Sequence, residues 1–233
     1  QRQMCIRDRD IRGKSGDARE GAPVRIAVPV LRRIANFDDL DPLAGETDVD
    51  VTLVEAGDVI PADADLILLP GSKSTISDLT FLRDQGWDID IAAHLRRGGM
   101  VMGLCGGYQM LGTKLDDPDG VEGPAGDTLG LGHLRVETVL AGDKRLTQVT
   151  AHANAFDVPV RGYEIHMGRT GGPDCDRPFL TLDGRPEGAV SADGAVIGTY
   201  LHGIFADDGF RRAFLDSLAA RRGREGAFGE VDF

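Results

Sequence analysis

Met100-Val-Met-Gly-Leu-Cys-Gly-Gly-Tyr-Gln-Met-Leu-Gly112 reads as an apolar strand that runs directly into a glycine-flanked cysteine and then a helix start. Within it, Gly103-Leu104-Cys105-Gly106-Gly107 follows the pattern Gly-x-nucleophile-x-Gly. The strand-to-helix turn in that pattern is so sharp that side chains two positions before and after the nucleophile would collide, which is why glycine stands at both. The geometry puts the Cys105 sulfur at the C-terminal edge of a sheet, where open α/β sheets bind ligands. It also puts it at a helix N-terminus, whose dipole favours a thiolate. A free cysteine is only a few per cent thiolate at neutral pH, so such help matters. The competing reading is a buried structural cysteine; the offsets of the glycines favour the nucleophile.

Outward from this segment, short apolar runs alternate with helical patterns. Strands are expected at Val24–Val30, Val49–Glu55, Asp65–Pro70 and Gly99–Leu104, with a short helix near Asn36–Ala44 and two more over Ser77–Arg97, broken near Gly86. Asp65–Pro70 (DLILLP) is continuously apolar, as a strand covered on both faces should be. This alternation predicts an α/β fold with a mostly parallel, doubly wound sheet. The second half is β-rich, with strands expected at His133–Leu140, Arg145–Ala151, Gly162–Met167, Phe179–Leu182 and Ala195–Leu201. A closing helix, Asp208–Arg221, sets Phe210, Phe214, Leu215 and Leu218 on one face. One domain is expected over residues 24–222. Residues 1–23, with ten charged residues, read as a disordered lead-in, the tail of an upstream domain or a non-native extension, and residues 223–233 as a flexible tail.

Composition narrows the function. With 26 Lys+Arg against 38 Asp+Glu, the 233-residue chain carries a net charge of −12, which argues against nucleic acid or an anionic membrane as the main partner. No apolar run is long enough to span a bilayer, and no signal peptide is recognisable. Three scattered cysteines (Cys5, Cys105, Cys175) make no disulfide framework and no zinc-ligand spacing, so no metal is expected and a reducing, cytoplasmic setting is. The 32 glycines, about twice the usual share of ~7%, point to tight turns.

A thiolate nucleophile needs a proton shuttle. His202 follows the strand Val196–Leu201 and precedes Gly203, so it reaches the same sheet edge as Cys105 and is the best general acid/base among five histidines. His94 reads as solvated on a charged helix end, His133 and His152 as loop residues, and His166 as a possible pocket residue. A tetrahedral intermediate needs an oxyanion site. Gly106 is the natural backbone donor after the cysteine, and Gly71 and Ser72, in the loop after the third strand, are candidates for the other side. The stretch Gly71-Ser-Lys-Ser-Thr75 is not a phosphate loop. Ser72 precedes the lysine and Ile67 occupies the first-glycine position.

Taken together, Gly103–Gly112 and Gly198-Thr-Tyr-Leu-His-Gly-Ile-Phe205 resemble the class I glutamine amidotransferases of the cobyric acid synthase type. The segments Asn36–Leu43, Leu69–Leu79 and Gly162–Met167-Gly168 strengthen the resemblance, which covers about residues 24–222. It implies a class I amidotransferase-like (flavodoxin-like) fold. It also implies a glutaminase in which Cys105 attacks the side-chain amide of glutamine, His202 moves protons, and the Gly71 and Gly106 amides hold the oxyanion. Gln109 matches a glutamine-binding position of the family, and Tyr163 and His166 line the pocket.

One departure is informative. The larger family places a glutamate two residues after the histidine; here Ile204 stands there, as in the cobyric acid synthase group. Glu164 is the candidate replacement. Full-length relatives carry an N-terminal synthetase domain that uses ATP and Mg²⁺ to activate carboxylates of a corrinoid, adenosylcobyrinic acid a,c-diamide. The resemblance therefore implies no cofactor in this domain, with glutamine and that synthetase domain as its partners. The alternatives are a cobyrinic acid a,c-diamide synthase, a subunit amidating a cell-wall precursor, a cysteine peptidase or γ-glutamyl hydrolase, or an inactive binding module.

Overall fold

Alternate residues of the two central strands face opposite cores, as a period of two demands when both faces are covered. The computed structural model describes residues 24–141 and 145–223. Its first four long strands are β1 (Val24–Pro29), β2 (Val49–Val54), β3 (Leu66–Leu69) and β4 (Met100–Leu104). The helices are α1 (Asp41–Gly45), α2 (Thr75–Asp84), α3 (Trp87–Arg96), α4 (Gly106–Leu111) and α5 (Asp208–Arg221). Later in the chain come β5 (Arg145–Ala153), β6 (Val158–His166), β7 (Leu180–Leu182), β8 (Arg185–Glu187), β9 (Ala189–Val190), β10 (Val196–Thr199) and β11 (Leu201–His202).

The main sheet has the order β9-β10-β4-β3-β1-β2, parallel throughout except for the edge pair β9/β10. Leu66, Leu68, Met100 and Met102 pack on one side with Phe210, Phe214 and Leu218 of α5 and Val149 and Val160 of β5 and β6. Ile67, Leu69 and Val101 pack on the other side with Leu79, Leu82, Trp87, Ile91 and Leu111 of α2, α3 and α4. A second, antiparallel sheet runs β8-β7-β5-β6-β11. The doubly wound sheet and β-rich second half expected from the sequence are both present. Helix α5 occupies the expected span, its N-terminus capped by the Asp207 carboxylate, which accepts from Phe210 N.

Several expectations need correction. The strand expected over His133–Leu140 is only Glu137–Val139, and β6 starts four residues earlier than expected. The short helix near Asn36–Ala44 is a 3₁₀ turn, Phe37–Leu40, followed by α1. A small third sheet orders Arg169–Gly171, Glu137–Val139, Lys114–Asp117 and Gly126–Leu129. Its polar sequences KLDD and GDTL carry no apolar alternation to reveal it. His94, expected in solvent, is 1% exposed, because its ring lies under Gly99 and its Nε2 meets the Met100 carbonyl at 2.9 Å. Burial pushes its pKa down. The expectations for residues 1–23 and 224–233 lie outside the described residues.

Strand order fixes where a site can form. From β1 the chain goes outward to β2 and then returns to place β3 on the other side of β1, a switch of direction. Loops leaving β1, β3, β4 and β10 emerge together at the C-terminal edge. At the turn after β4, a Cβ on Gly103 would lie 2.5 Å from the Gly107 carbonyl carbon, and one on Gly107 would lie 2.3 Å from the Leu69 oxygen. Both obstacles are backbone and cannot yield. Gly107→Ala is expected to cost about 1–3 kcal/mol of stability, read as a lower urea midpoint; an unchanged midpoint contradicts the packing described.

Candidate active site

The residue at the bend pays for the turn in its own backbone. Cys105 has φ 50° and ψ −107°, a conformation L-residues avoid. It is held from both sides: its N–H donates to the Thr199 carbonyl (2.8 Å), and its carbonyl accepts from Gln109 N (3.1 Å). The Sγ donates to the Ile165 carbonyl at 3.4 Å, and the residue is 8% exposed.

His202 ends β11, opposite Tyr163 of β6 in the antiparallel register. Its Nδ1 meets Asp39 Oδ2 at 2.6 Å, and Asp39 Oδ1 accepts from Gly203 N at 2.7 Å. An Nδ1–H held by a carboxylate leaves Nε2 as the working nitrogen. Nε2 is buried without a formed hydrogen bond, yet Cys105 is near enough to act on the ring electrostatically. Burial opposes the imidazolium, but the hydrogen bond to Asp39 and the charges of Asp39 and Cys105 outweigh it and carry the pKa up to about 9.

Asp39 is the residue that sequence reasoning missed. It sits in the 3₁₀ turn Phe37–Leu40, entered through Asn36 in the left-handed conformation (φ 53°), and is 6% exposed. Glu164 does not take this place. It is one residue along β6 from Tyr163, so it points to the opposite face, where Arg185 Nη2 donates to it at 2.9 Å. The sequence carries no signal that singles Asp39 out from its neighbours Asp38 and Asp41 in the same segment.

The remaining candidates gather unevenly around this pair. Gly71 packs beside the imidazole, where a Cβ would sit 3.1 Å from His202 Cε1. Ser72 packs against Gly106, whose Cβ would meet Ser72 N at 2.9 Å. The loop shape is set by Asp78, which accepts from Ser72 Oγ (2.6 Å) and from Arg33 N, while Ser72 Oγ accepts from Ser74 N (3.0 Å). Burial raises the Asp78 pKa. The Tyr163 ring stacks on His202, centroids 5.4 Å apart and planes 19° apart. Burial and the charges of Asp39, Asp38 and Cys105 push the Tyr163 phenol up to about 12.

Gln109 and His166 stand differently. Gln109 is 3% exposed and its amide is already engaged: Oε1 accepts from Thr75 Oγ1 (3.1 Å), and Nε2 donates to the Met167 carbonyl (2.9 Å) and Tyr200 OH (3.2 Å). It ties α4 to the segment after β6. His166 stacks on Tyr200 with centroids 3.8 Å apart, and burial lowers its pKa. His152 pairs with Asp157 at the surface. His133 lines a cleft of roughly 370 Å³ with Arg83, Ile89, Arg96 and Leu131, which shares no lining residue with the Cys105 site. Among the described residues no group of three His, Cys, Asp or Glu side chains could hold a metal ion, and no helix is long and apolar enough to cross a membrane.

A strained cysteine elbow on a parallel sheet, facing a carboxylate-held histidine, defines the class I glutamine amidotransferase-like architecture. The fold agrees: PurLQS from Thermotoga maritima superposes with a TM-score of 0.63 over 86% of this chain and 99% of that one, at 19% identity. The model of the CobB/CobQ-like glutamine amidotransferase domain matches residues 25–210, and the chain belongs to that family. It is 62% identical over 199 residues to the cobyric acid synthase of Ruegeria sp. (strain TM1040), covering 85% of this chain and 41% of that protein. It is 59% identical over 209 residues to the cobyric acid synthase of Bradyrhizobium diazoefficiens, covering 90% and 43%. The chain thus spans about two-fifths of the curated relatives it matches.

The Asp39 contact predicts a specific pH behaviour. Because the folded pKa of His202 is raised, its stabilising contribution is full below the ordinary 6.5 and is lost as pH rises through about 9. In Asp39→Asn the imidazole midpoint, followed by NMR, is expected to fall from near 9 toward 6.5, with the stability loss seen at pH 7 largely gone above pH 9. An unmoved midpoint removes Asp39 as the partner.

Proposed function

We propose that this chain is the glutaminase portion of a cobyric acid synthase, supplying ammonia for amidation of corrinoid carboxylates. The observation that carries the reading is identity near 60% with proteins named cobyric acid synthase across nearly the whole chain. The convergence of Cys105, His202 and Asp39 supports the chemistry.

In this mechanism Cys105 gives its thiol proton to His202, and the thiolate attacks the side-chain amide carbon of glutamine. The resulting oxyanion sits against the Gly71 and Gly106 amides, aided by the Ser72 loop. Protonated His202 gives its proton to the departing nitrogen, and ammonia leaves behind a γ-glutamyl thioester. His202, now neutral, takes a proton from water; the hydroxide cleaves the thioester to glutamate, and His202 returns the proton to the departing sulfur, restoring the thiol. Asp39 holds the imidazole in the tautomer both steps need. Tyr163 covers the ring, and the neighbourhood of Gln109 and His166 forms the pocket wall. The chain itself needs no cofactor for this half-reaction. ATP and Mg²⁺ act in the synthetase portion of the whole enzyme, with adenosylcobyrinic acid a,c-diamide as acceptor, in the cytoplasm.

Purified protein is expected to release glutamate from glutamine, with Cys105→Ala lowering the rate at least about 10³-fold. Diazo-oxo-norleucine should label Cys105 alone. Glutamate release that persists in Cys105→Ala, or peptide cleavage without glutamine turnover, overturns the proposal.

A further inference from the structure

We propose that Glu187 is a positioning residue for this site: its buried carboxylate clamps the step between β10 and β11 that sets Cys105 and His202 relative to one another. The proposal builds on the glutaminase reading above.

The chain changes sheets at Tyr200. β10 belongs to the parallel sheet and β11 to the antiparallel one. A backbone that leaves a ladder needs other partners for its polar groups. Glu187, 6% exposed at the end of β8, supplies them: Oε1 accepts from Tyr200 N and Oε2 from Thr199 Oγ1, both at 2.7 Å. Thr199 Oγ1 in turn accepts from Leu201 N at 3.1 Å. One carboxylate therefore fixes three consecutive residues immediately before His202.

The same three residues reach the elbow. The Thr199 carbonyl accepts the Cys105 N–H (2.8 Å) that supports the strained bend. The Tyr200 hydroxyl accepts from Gln109 Nε2 on α4 and bonds to Thr170, and its ring stacks on His166. A shift of the clamp thus displaces both the thiol and the imidazole, each through a different link. Both Glu187 oxygens accept from donors, an arrangement suited to the ionised form; protonating Oε1 would oppose the Tyr200 N–H, and protonating Oε2 would turn the Thr199 hydroxyl from donor to acceptor.

Titration gives the clamp a readout. Burial pushes the Glu187 carboxyl up to about 7, against the lowering bonds from Tyr200 N and Thr199. The charged and titratable groups around it are Glu164 of β6, which raises the value, Arg185 of β8, which lowers it, and Tyr108 and Cys175, each coupled to Glu187. The rate of Cys105 alkylation by iodoacetamide, followed on the Cys105 peptide by mass spectrometry, should therefore show an inflection near pH 7.

In Glu187→Gln that inflection should vanish and the rate at pH 8 should fall about tenfold, the equivalent of one misplaced hydrogen bond to a charge. For glutamine hydrolysis, kcat should fall by a similar factor with KM unchanged. Thr199→Val, which keeps shape and removes the hydroxyl, should reproduce the loss and add little to Glu187→Gln. It also serves if Glu187→Gln does not fold. An alkylation profile and kcat unaltered in both variants overturn the clamp. Wild-type protein without glutaminase activity overturns the reading under the previous heading, while the alkylation profile still decides the role of Glu187.

Discussion

A sulfur projected from a sharp bend is useful only if the bend is held, and holding Cys105 in a backbone conformation that costs on the order of 1–3 kcal/mol is the constraint that organises its surroundings. The strain is spread over backbone contacts that cannot relax. Gly103 and Gly107 let the start of α4 press against β3 and the end of β4, and Thr199 takes the Cys105 N–H. Each support comes from a different strand of the same parallel sheet. The bend therefore exists only in the assembled sheet, and its geometry inherits the sheet's rigidity.

The meeting of Cys105 with His202 follows from strand register. β4 and β10 run side by side in parallel, with Leu104 opposite Thr199. One residue past Leu104 is the cysteine; three past Thr199, after the chain changes sheets, is the histidine. Asp39 arrives from the loop after β1, 163 positions before His202, because the loops leaving that edge are brought together where the winding direction switches. The place two residues after the histidine, where the larger family has a glutamate, is filled by Ile204. That side chain is fully buried in the apolar core against α5, a setting in which a carboxylate would carry a desolvation cost.

How much of this the sequence could say depended on the range of each signal. The elbow and the strand feeding it are contiguous, so residue spacing alone carries their geometry. DLILLP announces a doubly covered strand because solvent is absent from both its faces. His202 was legible as a strand-end histidine. Asp39 was not, since no local pattern distinguishes a carboxylate aimed at a histidine from any polar residue in a short turn, and Glu164 was nearer in sequence. Strand periodicity, properly applied, argues against Glu164: a residue adjacent to Tyr163 must face away from the ring that Tyr163 covers. The third sheet escaped for the opposite reason. Lys114–Asp117 and Gly126–Leu129 pair through backbone groups while their side chains remain largely polar, so hydrophobic patterning had nothing to register.

The position of Asp39 also bears on what a catalytic-triad geometry requires. An imidazole needs an acceptor on Nδ1 to fix its tautomer and to stabilise its charged form; nothing in that requirement specifies where in the chain the acceptor originates. A glutamate two residues away and an aspartate 163 residues away satisfy it equally if the carboxylate arrives within hydrogen-bond distance. The distant solution has a further consequence. Asp39 spends its second oxygen on Gly203 N, so the same carboxylate fixes both the ring and the backbone turn that ends β11. Burial makes that pair of hydrogen bonds matter more: with His202 fully buried, a charged ring without its partner carries an uncompensated desolvation cost. The loop after β1 is therefore coupled to the charge state of a residue at the other end of the chain, and its conformation and the protonation of His202 form a single equilibrium.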